Sequence, residues 1–203
     1  ALSANTAGSN TAIGSEALQF NTSGASNVGI GLQALRQNTT GASNVAVGPN
    51  ALDANTTASN HTAVGTDALG ANTTGEDNTA VGYAAQRDGT TGSNNTSIGY
   101  FSLEANTTGG SNVAVGRALE SNTTASNNTA VGYLALKLNT TGTYNVSLGS
   151  SALAANTTAN NNAAFGFYAL KVNTTGAGNT AIGSDALQAN TTASNNTAVG
   201  YLA

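Results

Sequence analysis

The chain has 203 residues, of which only 7% are charged, with a net charge of −4. Five Lys and Arg cannot build the basic patch that nucleic acid requires, and no apolar run approaches the roughly 20 residues of a membrane span. The absence of Cys excludes disulfide staples and suits a rod held by backbone ladders, on the outside of a cell or virion.

The sequence matches itself at a fixed period, which decides the architecture before any propensity argument does. The marker is a glycine after an aliphatic or aromatic residue: Gly14, Gly31, Gly48, Gly65, Gly82, Gly99, Gly116, Gly132, Gly149, Gly166, Gly183 and Gly200. Every step is 17 residues except Gly116 to Gly132, which is 16, so one residue is missing between Gly116 and Ala118. A Gly in mid-unit and few Glu or Lys argue against helix pairs.

Within a unit, the triplet Thr/Val-Ala-Val/Ile before the glycine alternates side to side and reads as a short strand. The glycine permits a sharp bend. The Ala-Leu pair that follows reads as a second extended run, and Asn-Thr-Thr-Gly/Ala is turn chemistry. Stacked units would then bury a ladder of Val47, Val64, Val81, Ile98, Val115 and Val131 and a ladder of Leu52, Leu69, Leu136 and Leu153. Charges respect this pattern. Glu16, Asp67 and Asp185 fall two residues after the glycine, and Arg36, Asp53, Arg87, Glu104, Lys137 and Lys171 five after it. The expected fold is all-β: a β-solenoid of about twelve 17-residue coils, one continuous domain over 1–203 that reads as a segment of a longer fibre. At roughly 4.8 Å per coil the rod would be on the order of 55 Å long.

The exceptions fall in chain order. Asn5-Thr6-Ala7-Gly8 lacks the second Thr. Pro49, without an amide hydrogen, belongs at a bend or outside the ladder. His61 replaces an asparagine. As a catalytic base or metal ligand it lacks a neighbouring Cys, His or in-phase carboxylate, so it reads as one rung of an asparagine ladder. Gln86 stands in the Leu column, and Asp88-Gly89-Thr90-Thr91 replaces Asn-Thr-Thr. Phe165, in the Val column, needs room that Ala163 would leave.

Catalysis needs an asymmetric constellation, and a chain presenting the same side chains at every rung offers none. The reading is therefore not an enzyme, with no cofactor and no metal site. Two surface features remain. Asn21, Asn38, Asn55, Asn72, Asn106, Asn122, Asn139, Asn156, Asn173 and Asn190 open Asn-x-Ser/Thr motifs, one per coil along one edge. They are either N-glycosylation sites or stacked turn residues whose amides bond the next rung, and sugars about 5 Å apart would crowd. Tyr83, Tyr100, Tyr133, Phe167 and Tyr201 share one column that could engage glycans. Thr ladders also suggest ice binding, although the Asn-Thr-Thr threonines fall in a turn and not on a strand face.

The unit at 128–142, Asn-Thr-Ala-Val-Gly-Tyr-Leu-Ala-Leu-Lys-Leu-Asn-Thr-Thr-Gly, resembles the head repeat of YadA-like trimeric autotransporter adhesins. It is closer to the Asn-Thr-Ala-Val-Gly/Ala-Leu arrays of phage tail-fibre proteins. The resemblance covers the whole chain, although 17 residues exceeds the adhesin unit. It implies a left-handed β-roll, homotrimers or end-to-end assembly, a cell-surface or virion-surface location, and host-surface glycans or proteins as partners. The Ala column two residues before the glycine (Ala46, Ala63, Ala80, Ala114) and that before Leu (Ala34, Ala51, Ala68, Ala152) are either seams between copies or small residues that fit tight coils. The expected function is a structural shaft, with a glycan-binding module as the alternative and ice binding as the remote one.

Overall fold

The computed structural model describes residues 5–203. Its strands are β1 (Thr11–Ile13), β2 (Val28–Ile30), β3 (Val45–Val47), β4 (Thr62–Val64), β5 (Thr79–Val81), β6 (Thr96–Ile98), β7 (Val113–Val115), β8 (Thr129–Val131), β9 (Val146–Leu148), β10 (Ala163–Phe165), β11 (Thr180–Ile182) and β12 (Thr197–Val199). They pair in sequence order into one parallel sheet of 12 strands. The chain is a β-solenoid of about 11 turns, with no helix among the described residues. Register follows the period: Val45 pairs with Thr62, Ala46 with Ala63 and Val47 with Val64. The short step does not disturb it, since Val113 pairs with Thr129 and Val115 with Val131.

The facing of the strands reverses the expected one. The middle residues Ala46, Ala63, Ala80 and Ala114 are fully buried, while Ile13 is 59% and Val131 36% exposed. Val47, Val64, Val81, Ile98, Val115 and Val131 are therefore outer-face residues, and the expectation that they form a core ladder is corrected. The reason is lateral space. A Cβ on Gly29, in the middle of β2, would stand 3.3 Å from Leu18 Cγ, so the inward place on each strand admits only Ala, Ser or Gly. Phe165 points outward too and needs no room from Ala163. Leu52, Leu69, Leu136 and Leu153 are fully buried, as expected. Both alanine columns proposed as seams line the interior, which removes them as surfaces.

The Ala-Leu segment is not extended. Leu52 has φ 52° and Leu69 51°, and Asn50 and Asp67 two residues earlier have 56°. Left-handed backbone costs an L-residue roughly 1–2 kcal/mol. Burial of the Leu side chain returns about 1.5–3 kcal/mol, and each turn also bonds to the next coil, as Leu35 N–H does to the Ala51 carbonyl at 3.0 Å. The bend glycines allow closer approach still: Gly48 has φ 135°, and a Cβ there would lie 2.6 Å from the Gly65 carbonyl oxygen. The residue dropped from the short step belongs to this turn, and Gly116 absorbs the change with φ 92°. Pro49 is exposed where a proline forfeits nothing, and its carbonyl accepts from Asp67 N–H at 3.0 Å.

Candidate functional site

The interior has an apolar half of Ala and Leu and a polar half of two asparagine columns. In the first, Asn38 Nδ2 donates to Asn21 Oδ1 at 2.7 Å and to the Gly41 carbonyl at 2.9 Å. Asn55 repeats this with Asn38 and Ala58, and Asn139 with Asn122 and Gly142. Both hydrogens of each Nδ2 are thus engaged. Asn21, Asn38, Asn55, Asn72, Asn106, Asn122, Asn139, Asn156 and Asn173 are fully buried. Asn190 is half-buried but bonded alike, to Asn173 and Ala193. These asparagines are ladder rungs of the folded chain. The following threonines add hydroxyl bonds between coils, as Thr39 Oγ1 does to the Thr56 carbonyl at 2.9 Å.

In the second column, Asn44 Oδ1 accepts the N–H of His61 at 3.0 Å, and its Nδ2 donates to the Ala58 carbonyl at 3.0 Å. His61 continues the column with a ring in place of an amide. Its Nδ1 accepts Asn78 N–H at 3.2 Å, and its Nε2 lies 3.2 Å from Asn72 Nδ2. The imidazole Nδ1 therefore accepts the next rung's N–H, as the asparagine Oδ1 does elsewhere. Burial pushes its pKa below the ordinary value. The ring is 1% exposed and serves as a rung. Among the described residues no group of three His, Cys, Asp or Glu could hold a metal ion, and no helix is long and apolar enough to cross a membrane.

One coil breaks the interior pattern. Gly89 replaces the first-column asparagine, so Asn72 Oδ1 has no donor. Gln86, fully buried in the Leu column, has neither amide atom paired. A Cβ on Gly89 would lie 2.9 Å from Gln86 Cγ and 3.1 Å from its Nε2, so the glutamine occupies the space the asparagine would need. The apolar core divides at this coil: one cluster runs from Leu18 to Ala85 and the other begins at Leu103.

The surface around this coil is the least repetitive on the rod. Tyr83 and Tyr100 stack at 5.5 Å, Phe101 lies 4.1 Å from Tyr100, and Arg117 sits over Phe101 at 5.9 Å. Tyr133 meets Arg117 beyond them, Phe167 stacks instead on Tyr168 at 3.7 Å, and Tyr201 stands apart at the last coil. The five aromatic residues therefore do not make one continuous platform. Tyr83 and Tyr100 turn one ring face on each other and are about half exposed. Ion pairs Arg87–Glu104 at 2.7 Å and Arg117–Glu120 at 2.8 Å border the cluster. Beside it an open groove of about 410 Å³ lies where Gly70 interrupts the column of long charged side chains, with Asp53, Asp67, Arg87 and Asp88 on its walls.

The broadest uniform surface is the outer face of β1–β12. It carries Thr, Val or Ala at the first position of each strand and Val, Ile, Leu or Phe at the third, and no charge. In β4, β5 and β6 the pairs are Thr62 and Val64, Thr79 and Val81, and Thr96 and Ile98. Sequence reasoning missed this face by assigning its larger side chains to the core. The available signal was size: the third position tolerates Leu148 and Phe165, while the second is never larger than Ser. No family model, curated protein or solved structure matches the chain.

Proposed function

We propose that the chain is a non-catalytic shaft of a cell-surface or virion-surface fibre, which associates side by side with copies of itself through the outer face of β1–β12. The observation that carries this reading is that face: an uncharged, mostly β-branched strip running the length of the sheet. At roughly 4.8 Å per strand it is about 55 Å long, and contiguous apolar surface of this extent marks an interaction site. In-register strands and interior amide ladders supply stiffness, and the likeness to trimeric adhesin and tail-fibre repeats supports three copies. Mass per unit length from electron microscopy tests it. Three chains per cross-section are expected, and a V64K/V81K variant should fold but remain single. A single chain per cross-section in the parent would overturn lateral association.

A second reading, ice binding, gains from one observation. The outer face presents the hydroxyls of Thr62, Thr79 and Thr96 beside the methyls of Val64, Val81 and Ile98 on three successive strands, the flat array that the Asn-Thr-Thr turns lack. Thermal hysteresis from a single-chain rod would establish this reading, and unchanged freezing would remove it.

A further inference from the structure

The structure sorts the Asn-x-Thr motifs into two kinds. The asparagines of the Asn-Thr-Thr motifs are buried, or half-buried at Asn190, with Nδ2 bonded inside the rod, and Asn95 and Asn145, which open two further motifs, are buried as well. Four others have a different setting. Asn60-His61-Thr62, Asn94-Asn95-Thr96, Asn127-Asn128-Thr129 and Asn195-Asn196-Thr197 begin at the corner just before a strand. The four asparagines are exposed. They adopt φ of 64°, 60°, 62° and 61°, a left-handed turn that asparagine tolerates. Their backbone N–H groups carry the ladder, as Asn60 donates to the Ala42 carbonyl at 3.1 Å and Asn94 to the Glu76 carbonyl at 3.0 Å. No hydrogen bond engages their side-chain amides. The threonine of each motif opens β4, β6, β8 or β12, on the outer face.

We propose that Asn60, Asn94, Asn127 and Asn195 are the N-glycosylation acceptors of the folded rod. The crowding that argues against sugar on every coil does not apply, because Asn60, Asn94 and Asn127 lie on alternate coils, about 10 Å apart. In the transfer, Nδ2 attacks the anomeric carbon of a sugar activated as a diphosphate. The Nδ2–carbon bond forms, the carbon–oxygen bond to phosphate breaks, the diphosphate carrier leaves, and the Nδ2 proton passes to a base of the transferase. The rod contributes a free, outward amide and the hydroxyl two residues on. Asn161 is a built-in control: it has the same exposed corner position with φ 59°, but Ala163 stands where the hydroxyl would be.

The test uses the full folded chain, a soluble N-glycosyltransferase and a nucleoside-diphosphate hexose, with the heat-unfolded chain treated in parallel. Intact mass and peptide mapping should place hexose on the folded chain at these four asparagines, with Asn38, Asn139 and Asn161 bare. The unfolded chain should accept hexose at the Asn-Thr-Thr positions too, and so lose the ability to refold. A T62V variant should lose the adduct at Asn60 alone, since Val occupies that strand position in β2 and β3. Hexose at Asn38 or Asn139 of the folded chain, or none on the folded chain whether or not the unfolded chain accepts it, would overturn the assignment.

Discussion

Gln86 and Gly89 are two halves of one exchange: the glutamine side chain fills the space that an asparagine at 89 would take, and Gly89 leaves that space open. The exchange is incomplete, since both amide atoms of Gln86 and Asn72 Oδ1 stay unpaired. G89N alone should lower the unfolding midpoint, because its Cβ meets Gln86. Q86L alone should raise it, by removing two buried unpaired polar atoms at about 1–3 kcal/mol each. In the Q86L background, G89N should become stabilising, because the asparagine can then bond Asn72. A double-mutant cycle by thermal unfolding reads this reversal of sign, and additive effects would show that the two positions do not share space.

His61 makes the rod sensitive to mild acid. Its folded pKa is lowered by burial from the ordinary 6.5. Above that value the imidazole is neutral in both states and stability does not depend on it. As pH falls through 6.5 the unfolded chain protonates first, so stability drops until the folded pKa is reached, at about 1.4 kcal/mol for each unit of depression. Asp53 and Glu104 have raised pKa values, chiefly from burial, and shift stability in the opposite sense as they protonate. Unfolding measured from pH 8 to 5 should show the loss, and H61N, which restores the column's usual residue, should abolish it.

The asparagine ladder predicts an unequal response to two neighbouring truncations. N139A removes the acceptor of Asn156 Nδ2 and the donor to Asn122 Oδ1 inside the rod. It should cost about 2–4 kcal/mol, from two stranded buried groups. T140A loses one part-buried hydroxyl bond to the Thr157 carbonyl and should cost roughly 0.5–1.5 kcal/mol. Hydrogen exchange should show the N139A opening centred on its own and adjacent coils, since each coil touches only its neighbours.

The turn predicts an inversion of the usual hydrophobic ranking. Leu153 is buried at φ 52°. L153I conserves volume but places a β-branched residue in left-handed backbone, so it should cost more than L153M, which keeps an unbranched Cβ. Equal midpoints for the two would remove backbone strain as the reason.

Period, strand position, the Leu column and the role of the Asn-Thr-Thr asparagines were legible because each repeats without conflict. The facing of the strand was not. Hydrophobicity favours Val47 for the interior, but a coil closed by 17 residues and filled by Leu and two asparagines leaves only a methyl's width opposite Leu18. The left-handed turn had a signal of its own. The position two after the glycine and the position five before it carry no Val, Ile or Thr in any coil, although these residues abound elsewhere. That depletion is the mark of positive φ, and neither column attracts attention when each is read as an ordinary surface. The exposed motifs at Asn60 and Asn94 were hidden by the same habit, since the more numerous Asn-Thr-Thr copies resemble acceptors more closely than the real corners do.

The division of the apolar core at Gln86 has a mechanical consequence. Backbone hydrogen bonds join each coil to the next, so tension on the two ends loads the coils in series. Each coil that yields exchanges roughly 4.8 Å of stacked length for about 55 Å of extended chain. The force–extension trace should therefore be a regular sawtooth, and its lowest tooth marks the coil where Gln86 stands between Leu69 and Leu103. The rod then carries its own fuse, set by two residues near the middle of the chain.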